Sequence, residues 1–123
     1  MAVRERVEGA SPFRCDVLYV EDHAVVMTRG AVDLNTAPAM HRQMSATLAL
    51  PITGITVDLA YVSFLDSSGV NVLVQTRADA TQRDIAFRLE SVPRNVRLVL
   101  DALGLLDLFA VRHETPADDV ASA

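Results

Sequence analysis

The 123-residue chain contains no lysine and no tryptophan, one cysteine (Cys15) and only 5% aromatic residues. All 11 basic residues are Arg. Every mechanism built on a lysine amine is therefore excluded: a phosphate-loop lysine on a nucleotide, a Schiff base, or the lysine of a phospho-acceptor receiver domain. A single cysteine excludes an internal disulfide and a multi-cysteine zinc site. No apolar run approaches the ~18 residues of a membrane span, and Met1 to Ala10 alternates Arg and Glu where a signal peptide needs an apolar stretch. A soluble, cytoplasmic protein is expected. The formal charge of -5, with scattered Arg, argues against direct binding of nucleic acid and for a protein partner or a small ligand.

The chain is 50% hydrophobic, which with so few aromatics predicts one domain with a core of Val, Leu, Ala and Ile. That domain is expected over residues 11–114, between flexible ends at 1–10 and 115–123. Val-rich runs at Asp16 to Val20 and Ala24 to Arg29 read as a hairpin. Asn35 or Thr36 is the expected cap of a first helix, with Pro38 in its first turn and Met40, Met44 and Leu48 as its buried stripe. Ile55, Val57 and Leu59 alternate with polar residues as a strand. Tyr61 to Gly69 reads as a turn into a second helix, capped by Asp66 and Ser67, with Val70, Leu73, Val74 and Ala78 inward. Ile85 to Glu90 is a further strand. Pro93 starts a third helix whose Val96, Val99, Leu100 and Leu103 face the core and which ends at Gly104. Leu106 to Val111 is a last short strand. The order β-β-α-β-α-β-α-β defines an α/β domain with parallel pairing wherever a helix intervenes.

The sharpest local signal is Asp66-Ser67-Ser68-Gly69 at a strand-to-helix turn. A phosphate on Ser67 would meet the positive end of a helix dipole and amide donors, and its charge of about -2 would repel an acidic partner surface. Taken alone, the tetrapeptide reads first as an ordinary N-cap, since Asp and Ser are the commonest residues there. It lacks the glycine that precedes a hydrolase nucleophile by two positions, and His23, His41 and His113 show no spacing that ties them to Ser67 or Cys15. Asp33, Asp58 and Asp66 would share a metal only if all pointed to one end of the sheet. Cys15 reads as a small packed hydrophobe.

Together with that tetrapeptide, Gly30-Ala31-Val32-Asp33 followed by Thr36-Ala37, then Val57-Asp58-Leu59, then Val62 to Val70, and finally Val96 to Leu105 ending in Gly104-Leu105, resemble the STAS domain, most of all its free-standing anti-sigma factor antagonists. The resemblance spans roughly residues 15 to 112. It implies an α/β fold, a mixed β-sheet of four to five strands with helices packed against it. It further implies a phosphorylated serine, which falls on Ser67, flanked by Asp66 and followed by Ser68 and Gly69. The implied partner is an anti-sigma factor with a histidine-kinase-like ATPase fold, which supplies ATP and magnesium. The chain itself would be a substrate and binder with no cofactor, not an enzyme, with a phosphatase as the partner that could reset it. Asp33, Asp66, Ser67, Ser68, Gly69 and Asn71 form the expected contact surface. Two positions depart from the family's pattern: Ala31 replaces a usual Glu, and Asn71 replaces a usual small residue. The rival reading is an unphosphorylated STAS subunit of a lipid-transport ATPase assembly; a small-nucleotide binder has no glycine-rich loop to support it.

Overall fold

Alternating apolar residues make strands here, and the change to a 3.6-residue period makes the helices between them. The computed structural model describes residues 13–112, so both predicted flexible ends lie outside the described residues. The elements are β1 (Arg14–Val20), β2 (His23–Val32), α1 (Ala37–Leu48), β3 (Gly54–Leu65), α2 (Ser67–Gln82), β4 (Ala86–Glu90), α3 (Arg94–Ala102) and β5 (Ala110–Arg112). The predicted order is realised.

The strands form one five-stranded sheet in the order β1-β2-β3-β4-β5. The first pair is antiparallel around the Glu21–Asp22 turn, and the other three pairs are parallel. Each crossover steps to the next strand in the same direction, so right-handed connections place all three helices on the same face. Burial agrees with that geometry. Ala24, Val26, Ile55, Val57, Leu59 and Leu89 are fully buried beneath the helices, whereas Asp16, Leu18, Met27, Arg29 and Tyr61 are exposed on the bare face. There the Arg29 guanidinium lies 5.2 Å from the centre of the Tyr61 ring.

Met40, Met44 and Leu48 form the buried stripe predicted for α1. Four expectations are corrected. Tyr61 to Leu65 is strand rather than turn, because register shifts at Met27/Arg29 and Gly30/Ala31 keep β2 paired with β3 to its end. Gly30 holds one of these shifts at φ 95°, a conformation that a side chain disfavours. The buried face of α2 is Gly69, Val70, Val72, Leu73, Thr76 and Ala80, rotated toward α1, so Val74 is half-buried and Ala78 exposed. On α3, Val96 and Leu100 are buried, but Leu103 is 55% exposed, since the helix already ends at Ala102. The predicted Gly104 stop is present at φ 71°: the Gly104 amide donates to Asp101 O (2.9 Å) and the Leu105 amide to Leu100 O (2.8 Å). Finally, Leu106–Leu108 is a 3-10 turn and only Ala110–Arg112 is strand. Phe109, which follows this turn, is buried in the core with its ring 5.9 Å from that of Phe87.

Candidate functional site

In parallel sheets of this kind, functional groups collect beyond the carboxyl ends of the strands, where helices begin. Here β2 and β3 end side by side, with Val32 paired to Leu65, and each runs into a helix through an aspartate. At the start of α2, Asp66 leaves the helix in an extended conformation (φ -100°, ψ -167°) and turns its carboxylate back over the first turn. Its Oδ1 accepts from the Ser68 amide at 2.8 Å and the Gly69 amide at 3.3 Å, satisfying donors that the helix cannot. The Asp66 amide donates to Val32 O at 3.2 Å, which ties this turn to the end of β2. Gly69 is required by packing. A Cβ there would lie 2.7 Å from Leu65 Cγ and 2.9 Å from Val32 Cγ1, so the glycine lets the helix start press against both strand ends.

This arrangement settles what surrounds Ser67. Its side chain is exposed at the first helical position, and its hydroxyl has no hydrogen-bond partner among the described residues. Of the amides expected to greet a phosphate, those of Ser68 and Gly69 are already taken by Asp66. Ser68 is half-buried and turns toward α1.

The start of α1 differs from expectation. Neither Asn35 nor Thr36 acts as the capping side chain. No side chain caps α1 itself; Asp33 instead holds the loop before it, its Oδ1 accepting from the amides of Asn35 (2.9 Å) and Thr36 (3.1 Å) and its backbone carbonyl from the Ala37 amide (2.8 Å). The Thr36 hydroxyl accepts from the Asp33 amide at 2.9 Å and donates to Ala31 O at 2.7 Å. The reason is local. Thr36 is helical in its own backbone (φ -101°, ψ -21°), so its side chain points back into the loop instead of along the helix. The half-buried Asp33 carboxylate thus shapes the loop that stands beside Ser67.

Around these two turns lies an exposed apolar surface. Leu34, at the tip of the β2–α1 loop, is 77% exposed, and Phe64, three residues before Ser67, is 50% exposed. Between α1 and α2 runs a groove of about 290 Å³ lined by Leu34, Pro38, His41, Ser68, Asn71 and Gln75 above a floor of Ala37 and Val72. Of the residues singled out from sequence, the structure brings Asp33, Asp66, Ser67, Ser68, Gly69 and Asn71 together at this end of the sheet. Leu34, Phe64, His41 and Gln75 were not singled out for this surface. The available signal was Leu34, an apolar residue in an otherwise polar loop; Phe64 lies on β3 and gave none.

Asp58 stands apart in the middle of β3, where its Oδ1 accepts from the Ala60 amide at 2.9 Å. Among the described residues no three His, Cys, Asp or Glu side chains are placed to hold a metal ion. His23 Nε2 pairs with Thr56 Oγ1 at 2.8 Å in β2 and β3, remote from Ser67; His113 lies outside the described residues. Cys15 is half-buried, 3.7 Å from Thr28 Oγ1, and burial pushes its thiol pKa up, so it is a packed and poorly ionised thiol. No helix among the described residues is long and apolar enough to cross a membrane.

Comparison with known proteins agrees with this geometry. The chain is 26% identical over 98 residues to an anti-sigma-B factor antagonist of Staphylococcus epidermidis, covering 80% of this chain and 91% of that protein. Its fold matches the crystal structure of an anti-sigma factor antagonist from Mycobacterium paratuberculosis, with TM-score 0.76 and 24% identity over 90% of this chain and 93% of that one. It also matches the Bacillus cell fate determinant SpoIIAA in its phosphorylated form, with TM-score 0.67 and 18% identity over 90% of this chain and 98% of that one. The family model of the STAS domain matches residues 16–123, and with its mixed sheet and three packed helices the chain belongs to the STAS domain family.

Proposed function

We propose that this protein is an anti-sigma factor antagonist that binds an anti-sigma factor in its unphosphorylated form, releases a sigma factor, and is switched off by phosphorylation of Ser67. The observation that carries the reading is the Ser67 hydroxyl. It is exposed and, among the described residues, unpaired at a helix start that Asp66 and Gly69 already hold in place. A kinase can reach it without opening the fold. The Staphylococcus relative is named an anti-sigma-B factor antagonist, and a fold neighbour has been solved in a phosphorylated form, which supports the same reading.

The mechanism is electrostatic. The apolar surface of Leu34 and Phe64, with the groove beside Ser68 and Asn71, forms the contact, and Ser67 sits among these elements. A phosphate there carries about -2 charge, and with the Ser68 and Gly69 amides occupied it has little to neutralise it within this chain. Buried against a partner it would leave an uncompensated charge, which costs several kcal/mol. The partner supplies catalysis: an anti-sigma factor with a histidine-kinase-like ATPase fold that transfers phosphate from ATP in the cytoplasm, reversed by a phosphatase. This chain is its substrate and ligand.

The test is incubation with a candidate anti-sigma kinase and ATP, followed by mapping of the phosphate by mass spectrometry. Phosphate on Ser67, and a complex lost in Ser67→Glu but kept in Ser67→Ala, is the expected result. Phosphate elsewhere, or an undiminished Ser67→Glu complex, overturns the mechanism.

A further inference from the structure

The two edges of the sheet are built differently. The edge beyond β4 is β5, a strand of only three residues, Ala110–Arg112. The opposite edge, β1, runs for seven residues, Arg14–Val20, and pairs with β2 in one unbroken antiparallel register. Sheets commonly blunt such an edge with Lys, Pro, a bulge or a short strand. β1 has none of these: it reads Arg-Cys-Asp-Val-Leu-Tyr-Val, and Leu18, Tyr19 and Val20 are exposed in succession. Its only charges, Arg14 and Asp16, are 3.2 Å apart and paired with each other. The two-residue Glu21–Asp22 turn closes on Val20 and His23 as a hydrogen-bonded pair, so the main-chain groups of Val20, Leu18, Asp16 and Arg14 face β2. Those of Cys15, Val17 and Tyr19 point away from the sheet and have no partner among the described residues.

We propose that β1 is the interface between two copies of this chain, which pair antiparallel across a two-fold axis at Val17 and join their sheets into one. The match of the edge to itself points to a second copy as the occupant. A two-fold antiparallel pairing sets each residue against one of the second copy at a constant sum of numbers, and only the register centred on Val17 sets all three outward residues against outward residues. Val17 then meets Val17, and Cys15 meets Tyr19. The same register is permitted electrostatically. Arg14 falls opposite Val20 and Asp16 opposite Leu18, so no like charges meet directly, and the diagonal approach of the two Asp16 carboxylates is offset by the Arg14 beside each. On the bare face the two Leu18 side chains become diagonal neighbours; on the helix side the half-buried Cys15 is covered by Tyr19 of the second copy. The inference goes beyond the antagonist reading and does not depend on it. β2 separates this edge from β3, and neither Ser67 nor Leu34 takes part, so both Ser67 hydroxyls of a dimer stay open.

The experiment measures the mass of the full-length protein by analytical ultracentrifugation, in reductant so that Cys15 forms no disulfide, at concentrations up to about 1 mM. Wild type is expected to pass from monomer to dimer as concentration rises. Leu18→Asp sets carboxylates opposite one another across the pair, and Tyr19→Pro removes an outward amide without removing a β1–β2 hydrogen bond. Each is expected to weaken the dimer about tenfold or more. Leu103→Asp, at an equally exposed leucine after α3, is the control that keeps the dimer, and thermal melts verify folding. Hydrogen exchange reads the register: the amides of Cys15, Val17 and Tyr19 are expected to slow as concentration rises, while those of Asp16 and Leu18 are protected throughout. Wild type that is monomeric at every concentration overturns the proposal, whether residues 1–12 or a strand of another protein occupies the edge instead. So does a dimer that both variants keep, or one whose outward amides exchange as fast as in the monomer.

Discussion

The starts of α1 and α2 are built alike and end up opposite in chemical availability. Each follows the end of a parallel strand, and in each an aspartate Oδ1 accepts two amides. At α1 the neighbouring hydroxyl, that of Thr36, is held from both sides by the Asp33 amide and the Ala31 carbonyl. At α2 the neighbouring hydroxyl, that of Ser67, is held by nothing among the described residues. One aspartate folds its hydroxyl into the loop, and the other secures the helix while leaving its hydroxyl outside. A polar residue at a helix start is therefore not a site by its type; what matters is which of its hydrogen bonds are already made.

This contrast can be broken most severely at Ser67. Ser67→Glu is expected to weaken the anti-sigma complex at least about a hundredfold, several kcal/mol, with the melting temperature almost unchanged. Calorimetry and a thermal scan on the same sample check both halves. Gly69→Ala strikes the support beneath the site. Its added methyl collides with Leu65 and Val32, and denaturant titration is expected to show a loss of about 1–3 kcal/mol. The two carboxylates come next. Asp66→Ala, which uncaps α2, is expected to cost about 1 kcal/mol, and Asp33→Ala about as much by releasing the loop around Thr36. If hydroxyl availability is decisive, the double variant Ser67→Ala/Thr36→Ser takes up no phosphate from the kinase, because the hydroxyl at position 36 remains engaged; radiolabelled ATP reads this directly.

The smallest effect lies away from both helix starts, at Cys15. Burial raises its pKa, so in alkaline solution below that raised value the folded protein holds a proton that the unfolded chain has lost. Its contribution to stability is complete below the unfolded thiol's pKa, near 8.5, and declines as pH rises toward the folded value. Alkylation of native protein at pH 8 is expected to be much slower than of protein in denaturant.

Much of this was legible in the sequence where one interaction dominates. Met40, Met44 and Leu48 kept their stripe because helix periodicity alone decides it, and Gly104 stopped α3 because few residues accept φ 71°. The Asp66 cap was legible for the same reason: the donors it serves are two and three residues ahead. What escaped depends on partners far along the chain. The continuation of β3 through Leu65 is set by bulges in β2, and the rotated face of α2 by α1. The groove escaped for the same reason, since Leu34, His41 and Asn71 become neighbours only when two helices lie side by side.

The way Asp66 anchors α2 bears on how quickly the protein can answer a signal. The turn that carries Ser67 is fastened by the carboxylate, by the Asp66 amide on β2 and by the close seat of Gly69, so a phosphate has no loose segment to reorganise. Under the proposed phosphorylation of Ser67, the two states would therefore differ in surface charge rather than in shape, and no refolding step would separate them.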